Sequence, residues 1–253
     1  MQYSPVRGRP LAADPIVFLP GVCADARLFR HQIADLGREV PVCVWPTSGF
    51  ERIEEVASEL LVNAPRRFAL AGHGYGGMVA MEVLRRAPDR VTRLALMDTS
   101  PLGETPQEAA MREPKIVRAR AGRMAEVVRD EVPESSLAAA TREAVYAELE
   151  EMAEAQGADA YVRQVRGLQR RGDQQAVLRR CKLPVLILCG REDTVHPLRR
   201  HEFLSDLIPY ARLRIIENAG HVPMLEQPDQ VTTALRQWLC QPVVLREALP
   251  VTG

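Results

Sequence analysis

Between Phe68 and Val91 the chain reads FALAGHGYGGMVAMEVLRRAPDRV. An apolar run passes through Gly72-His73-Gly74-Tyr75-Gly76-Gly77 straight into a helical pattern, with no linker between them. A buried strand that turns so abruptly into a helix needs small residues where the two backbones meet. The next apolar run, Arg93 to Met97, follows directly. A strand, a helix and a second strand in this order form a right-handed parallel crossover. This one segment commits the chain to an α/β sheet.

The remaining sequence extends the same pattern. Apolar runs recur at Pro15–Leu19, Val40–Trp45, Arg67–Ala71, Arg93–Met97, Pro184–Cys189 and Arg212–Ile216. They are short and nearly continuous, as strands buried on both faces are. Helical patterns occupy Ala26–Leu36, Glu51–Asn63, Tyr75–Arg86, Pro197–Ile208 and Gln227–Leu239. The expected fold is therefore α/β, a mostly parallel sheet of about six strands flanked by helices. Residues 101–180 break the alternation. They hold no strand pattern, only helical stretches such as Gln107–Arg120, with a break expected at Pro114, and Leu137–Ala155, where Val145, Leu149 and Met152 share one face. The expected division is a core of 1–100 and 181–253 with an all-helical cap at 101–180. Such a cap would cover the C-terminal ends of the strands, where open α/β sheets bind ligands. The plainer alternative is a helical excursion that only shields a sheet edge. From Gln241 onward the chain reads as a surface tail.

Composition excludes several classes of function. Lys+Arg 33 against Asp+Glu 33 gives a formal net charge of zero, without the basic surplus of a nucleic-acid or anionic-membrane binder. No apolar stretch approaches the ~18 residues of a membrane span. Met1–Pro15 has no apolar run after Arg7 and Arg9 and does not read as a signal peptide. The five cysteines, Cys23, Cys43, Cys181, Cys189 and Cys240, are widely spaced and suit a reducing cytoplasm. No cofactor is expected, because GxxxxGK[ST] is missing. No metal is expected either, since His196 and His201 are poorly spaced as ligands.

The turn around Gly74 has the context of a nucleophile elbow, with Gly72 and Gly76 at the small flanking positions and Gly77 beside them. Together with IVFLPGV, RLALMDTSP, LPVLILCGREDTVHP and NAGHVPMLEQP, in that order, it makes the chain resemble the α/β-hydrolase superfamily from Pro15 to Leu239. The likeness is to its small bacterial members with a helical cap. The antiparallel hairpin that opens many members is not expected, since about 14 residues precede the first apolar run.

The resemblance implies a catalytic triad in the order nucleophile, acid, base. Asp193 in GREDTVHP takes the acid's place and His221 in AGHVPMLEQP the base's. Asp98, at the end of RLALMD, is the alternative acid, and either Asp193 or His221 could instead be an ordinary loop residue. The oxyanion hole would use the amides of Val22 and Tyr75. The family's usual His-Gly in the first of these loops is Pro20-Gly21 here. Cys23, His73, Tyr75 and Val222 are expected around a mostly apolar, uncharged pocket for a small neutral or weakly polar acyl substrate. His73 reads as structural or pocket-lining rather than as a base, and Cys23 as a small buried residue rather than a substitute nucleophile.

The departure lies at the central position, where the family has serine and this chain has Gly74. Glycine cannot form an acyl-enzyme. Three accounts stand side by side: an engineered loss of serine, a natural pseudoenzyme that binds ligand, or altered chemistry in which His221 and Asp193 activate water. The expected parent activity is hydrolysis of a carboxylic ester or lactone, impaired in the Gly74 form. The alternatives are a carbon–carbon bond hydrolase on the same machinery and a non-catalytic ligand-binding protein.

Overall fold

A computed structural model describes residues 14–242. Most of the expected surface tail and most of Met1–Pro15 lie outside the described residues. Six strands form one sheet: β1 (Ile16–Leu19), β2 (Val42–Val44), β3 (Phe68–His73), β4 (Val91–Met97), β5 (Val185–Gly190) and β6 (Ala211–Ile216). All five pairings are parallel and the spatial order is β2-β1-β3-β4-β5-β6. The sheet expected from the sequence is thus present.

Side-chain alternation sends the two faces of each strand into two cores. Ile16, Phe18, Ala69, Ala71, Ala95, Met97, Leu186 and Leu188 pack on one face, against α1 (Arg30–Leu36) and α11 (Pro228–Leu239). Val17, Leu19, Phe68, Leu70, Leu94, Leu96, Val185 and Ile187 pack on the other, against α2 (Ile53–Asn63), α3 (Tyr75–Arg86) and α9 (Leu198–Leu207). Burial on both faces explains why β1, β3, β4 and β5 read as continuous apolar runs.

Between β4 and β5 the chain is helical: α4 (Pro106–Ala110), α5 (Glu113–Arg120), α6 (Met124–Glu131), α7 (Arg142–Arg170) and α8 (Gln175–Arg179). Thr105 opens α4 with a reciprocal capping box to Glu108. The break expected at Pro114 falls instead at Met111–Arg112. Pro114 sits in the first turn of α5, where its missing N–H leaves no bond unmade. The helix expected to end at Ala155 runs on to Arg170 through a kink at Gly157 (φ +78°), an angle glycine takes without strain. A short helix α10 (Pro223–Glu226) precedes α11. Among the described residues no helix is long and apolar enough to cross a membrane.

Candidate active site

β3 ends at His73, and α3 begins at Tyr75, so Gly74 alone makes the turn, at φ +51° and ψ −116°. The turn is held on both sides. The Gly74 amide donates to the Met97 carbonyl at 3.0 Å, and the Gly74 carbonyl accepts from Thr99 Oγ1 at 2.6 Å. The flanking glycines are there for room. A Cβ on Gly72 would stand 2.4 Å from the Gly76 carbonyl oxygen, and one on Gly76 would stand 2.1 Å from that of Leu19. At Gly74 the space is different. A Cβ there meets nothing nearer than Gly21 Cα at 3.8 Å, and His221 Nε2 lies 4.0 Å away.

His221 is held from three directions. Its Nδ1 is 3.0 Å from Asp193 Oδ2, its amide donates to the Ser136 carbonyl at 2.7 Å, and its own carbonyl accepts from His73 Nε2 at 2.8 Å. Burial works against its protonation, but the Asp193 charge and hydrogen bond outweigh that and hold its pKa above the ordinary value. Asp193 follows β5. Its Oδ1 accepts from the Val195 amide (2.8 Å), the His196 amide (3.0 Å) and Ser136 Oγ (3.0 Å), which leaves Oδ2 to His221. Burial pushes its carboxyl up, yet the facing imidazole and these donors leave it below the ordinary range. A charged Asp193 places the proton on His221 Nδ1, so Nε2 presents its lone pair toward Gly74.

The alternative acid, Asp98, is fully buried and accepts the Gly190 amide at 3.0 Å. Burial and the Asp193 charge raise its carboxyl well above the ordinary range. Asp98, Asp193 and His221 offer ligand atoms within 4.8 Å of one another, the single such grouping among the described residues. Asp193 Oδ2 and His221 Nδ1, however, are committed to each other. His201 serves the fold: its Nε2 accepts the Thr99 amide at 3.2 Å.

His73 reaches its site from β3. Because Nε2 donates to the His221 carbonyl, Nδ1 is unprotonated and without a partner among the described residues. Burial, reinforced by His221, lowers its pKa to about 3. Its hydrogen bond braces the His221 backbone. The amides of Val22 and Tyr75 meet no acceptor among the described residues.

A cavity of about 90 Å³ lies over these groups, with Val22, His73, Gly74, Tyr75, His221 and Val222 on its wall. Cys23 is not on that wall, contrary to expectation. Its side chain packs into the core with Ala24 and Leu28, and burial pushes its thiol far above the ordinary range. The expectation of an uncharged lining is also corrected. Arg112, Glu131 and Arg171 from the helical region reach the cavity. Glu131 accepts from Arg112, Lys115 and Tyr161, and Glu104 bridges Arg112 and Arg171. Sequence reasoning also missed Ser136, Gln164 and His196, whose ring centroid is 5.6 Å from that of His221.

The chain is similar to known proteins in both sequence and fold. The chain is 31% identical over 195 residues to a pimeloyl-[acyl-carrier protein] methyl ester esterase of Aromatoleum aromaticum, covering 70% of this chain and 76% of that protein. It is 25% identical to a putative carbamate hydrolase, RutD, of Pseudomonas savastanoi pv. phaseolicola, covering 85% and 90%. Among solved structures, a thermophilic esterase from Thermogutta terrifontis superposes with a TM-score of 0.81 at 25% identity, covering 90% of this chain and 89% of that one. An enol-lactonase from Burkholderia xenovorans LB400 shares the fold, with a TM-score of 0.79 at 21% identity and coverage of 91% and 92%. The family model for the alpha/beta hydrolase family matches residues 16–234, and the chain belongs to that family.

Proposed function

We propose that this is the site of a carboxylic ester or lactone hydrolase of the Ser-His-Asp type, with Gly74 at the nucleophile's position. His221 is the base and Asp193 the acid that orients it. The Val22 and Tyr75 amides form the oxyanion hole, His73 and Val222 flank a small acyl substrate, and residues 101–180 act as the cap. One observation carries this reading. Position 74 has room for a side chain whose β-carbon lies 4.0 Å from an imidazole nitrogen, and the opposite nitrogen of that ring is 3.0 Å from a buried carboxylate.

The chemistry follows from the geometry. A hydroxyl at position 74 would pass its proton to His221 Nε2 as it attacks the carbonyl carbon. The charge that develops on the carbonyl oxygen would meet the two amides. Protonated His221 would then return the proton to the leaving alkoxide, with Asp193 stabilising the imidazolium throughout. In the chain as it stands the covalent route is closed, because Gly74 has nothing to attack with. The open space at Gly74 favours a second reading, in which a water beside Nε2 attacks the ester directly and no acyl-enzyme forms. The similarity to an esterase and to a putative carbamate hydrolase supports a substrate with an acyl carbonyl bonded to a heteroatom. The five free cysteines fit a reducing compartment such as the cytoplasm.

The test compares the unmodified chain with Gly74→Ser on a short-chain aryl ester and a small lactone. Loss of a triad nucleophile lowers kcat by roughly 10⁶, so Gly74→Ser should gain several orders of magnitude. A serine form that retains ligand without turnover would point to a binding protein. Turnover confined to β-diketones would point to a carbon–carbon bond hydrolase.

A further inference from the structure

Gln164, in α7, is fully buried, and its side chain makes three hydrogen bonds to the loop that follows β1 and to that loop's brace. Its Oε1 accepts the Cys23 amide at 3.1 Å. Its Nε2 donates to the Gly21 carbonyl at 3.3 Å and to Thr47 Oγ1 at 2.9 Å. Thr47 Oγ1 in turn donates to the Pro20 carbonyl at 3.2 Å. Facing an amide donor on one side and a carbonyl on the other, the Gln164 amide has a single satisfactory orientation.

These bonds decide where the loop's own amides point. In a trans peptide unit the C=O and N–H face opposite ways, and the described residues contain no cis bond. With the Gly21 carbonyl turned to Gln164, the Val22 N–H of the same unit is turned away from it. Gly21 and Val22 are on the wall of the catalytic cavity and Gln164 is not. Cys23 N–H, the neighbouring donor, is consumed by Gln164 Oε1. Cys23 also holds φ +59°, an angle a residue with a side chain keeps only when its surroundings enforce it.

We infer that Gln164 is the positioning residue of the oxyanion hole, selecting the Val22 amide and aiming it at the reacting carbonyl. The hole is thereby completed by a helix of the region between β4 and β5, and it is assembled only while α7 is seated on the loop. This assignment rests on the hydrolase reading above, and two measurements separate their fates.

The first titrates the unmodified chain with butyrate, whose carboxylate oxygen mimics the oxyanion. Gln164→Met removes all three bonds at similar length and should weaken butyrate binding at least tenfold. The second uses the Gly74→Ser chain, where Gln164→Met should lower kcat about ten- to a hundredfold with KM within about twofold, part of the loss seen when an oxyanion donor is removed. Gln164→Glu, which also lacks the donor to Gly21, serves should the methionine variant not fold. A purely structural glutamine would lower the melting temperature and leave kcat intact. That result, or equal butyrate affinity with and without Gln164 (absence of binding included), overturns the assignment and leaves the hydrolase reading standing. A Gly74→Ser chain that turns over neither ester nor lactone overturns the hydrolase reading instead, and the butyrate titration then decides the role of Gln164 alone.

Discussion

Ser136 donates its hydroxyl to Asp193 Oδ1 at 3.0 Å, and the Ser136 carbonyl accepts the His221 amide at 2.7 Å. A single residue of the region between β4 and β5 therefore touches both Asp193 and His221. Ser136 Oγ also accepts the Thr194 amide at 3.1 Å, which ties it to the Asp193 loop. Ser136→Ala removes a buried hydrogen bond to a charged carboxylate, an interaction of about 1.5–3 kcal/mol. Asp193 keeps the Val195 and His196 amides, so the fold should survive. Denaturant unfolding should show a loss of about 2 kcal/mol. An unchanged midpoint would mean that the serine contributes nothing to holding Asp193.

Gly74 sits at φ +51°. Serine at that angle is strained by ~1–3 kcal/mol, whereas glycine is not. A Cβ at position 74 has no close contact, so backbone strain rather than clash sets the penalty. Gly74→Ser is thus expected to lower the melting temperature while it creates activity, a trade of stability for function. A serine form as stable as the glycine form would show that the turn relaxes on substitution.

Much of this site could be read from the chain because its parts are local. The strand-to-helix turn at Gly74 lies within one continuous segment, Asp193 follows shortly after β5, which announces itself by a buried apolar run, and His221 follows shortly after the half-buried β6. The residues that were not legible act across long separations. Gln164, in α7, meets Cys23 from 141 positions away, and Ser136, in the connection between α6 and α7, meets Asp193 from 57, so neither pairing leaves a local mark in the sequence. The same holds for Arg112, Glu131 and Arg171. As isolated charges on helical patterns they suggest solvent, and only their mutual pairing lets them reach the cavity. Pro114 was legible as a helix signal but not as to which side of it the break falls.

The Asp193–His221 pair sets opposite pH dependences for stability and activity. The His221 pKa is raised above 6.5, so its contribution to stability is complete below that value and is lost as pH rises through the folded-state pKa. The Asp193 pKa is lowered below 3.8, so its contribution is present above that value and is lost as pH falls through the folded-state pKa. In the proposed mechanism, catalysis needs His221 neutral. For Gly74→Ser, kcat/KM should rise with pH along a limb whose midpoint lies above 6.5, and Asp193→Asn should move that midpoint down. A limb at or below 6.5 would show that the carboxylate does not hold the imidazolium.

The junction between β1 and α3 tolerates no side chain at Gly76. A Cβ there would stand 2.1 Å from the Leu19 carbonyl oxygen and 2.7 Å from that of Pro20, and both are backbone atoms that cannot swing aside. Gly76→Ala must push α3 off the end of β1, moving the Tyr75 amide away from the loop that carries the Val22 amide. Overpacking of a buried contact costs about 1–3 kcal/mol where side chains can adjust, so a clash between two backbones should reach or exceed the top of that range. Gly172→Ala, where a Cβ meets nothing within 4 Å, is the control and should be neutral or slightly stabilising. Thermal unfolding of the two variants side by side checks both. If Gly76→Ala melts like Gly172→Ala, helix and strand are not in the close contact on which the alignment of the two amides depends.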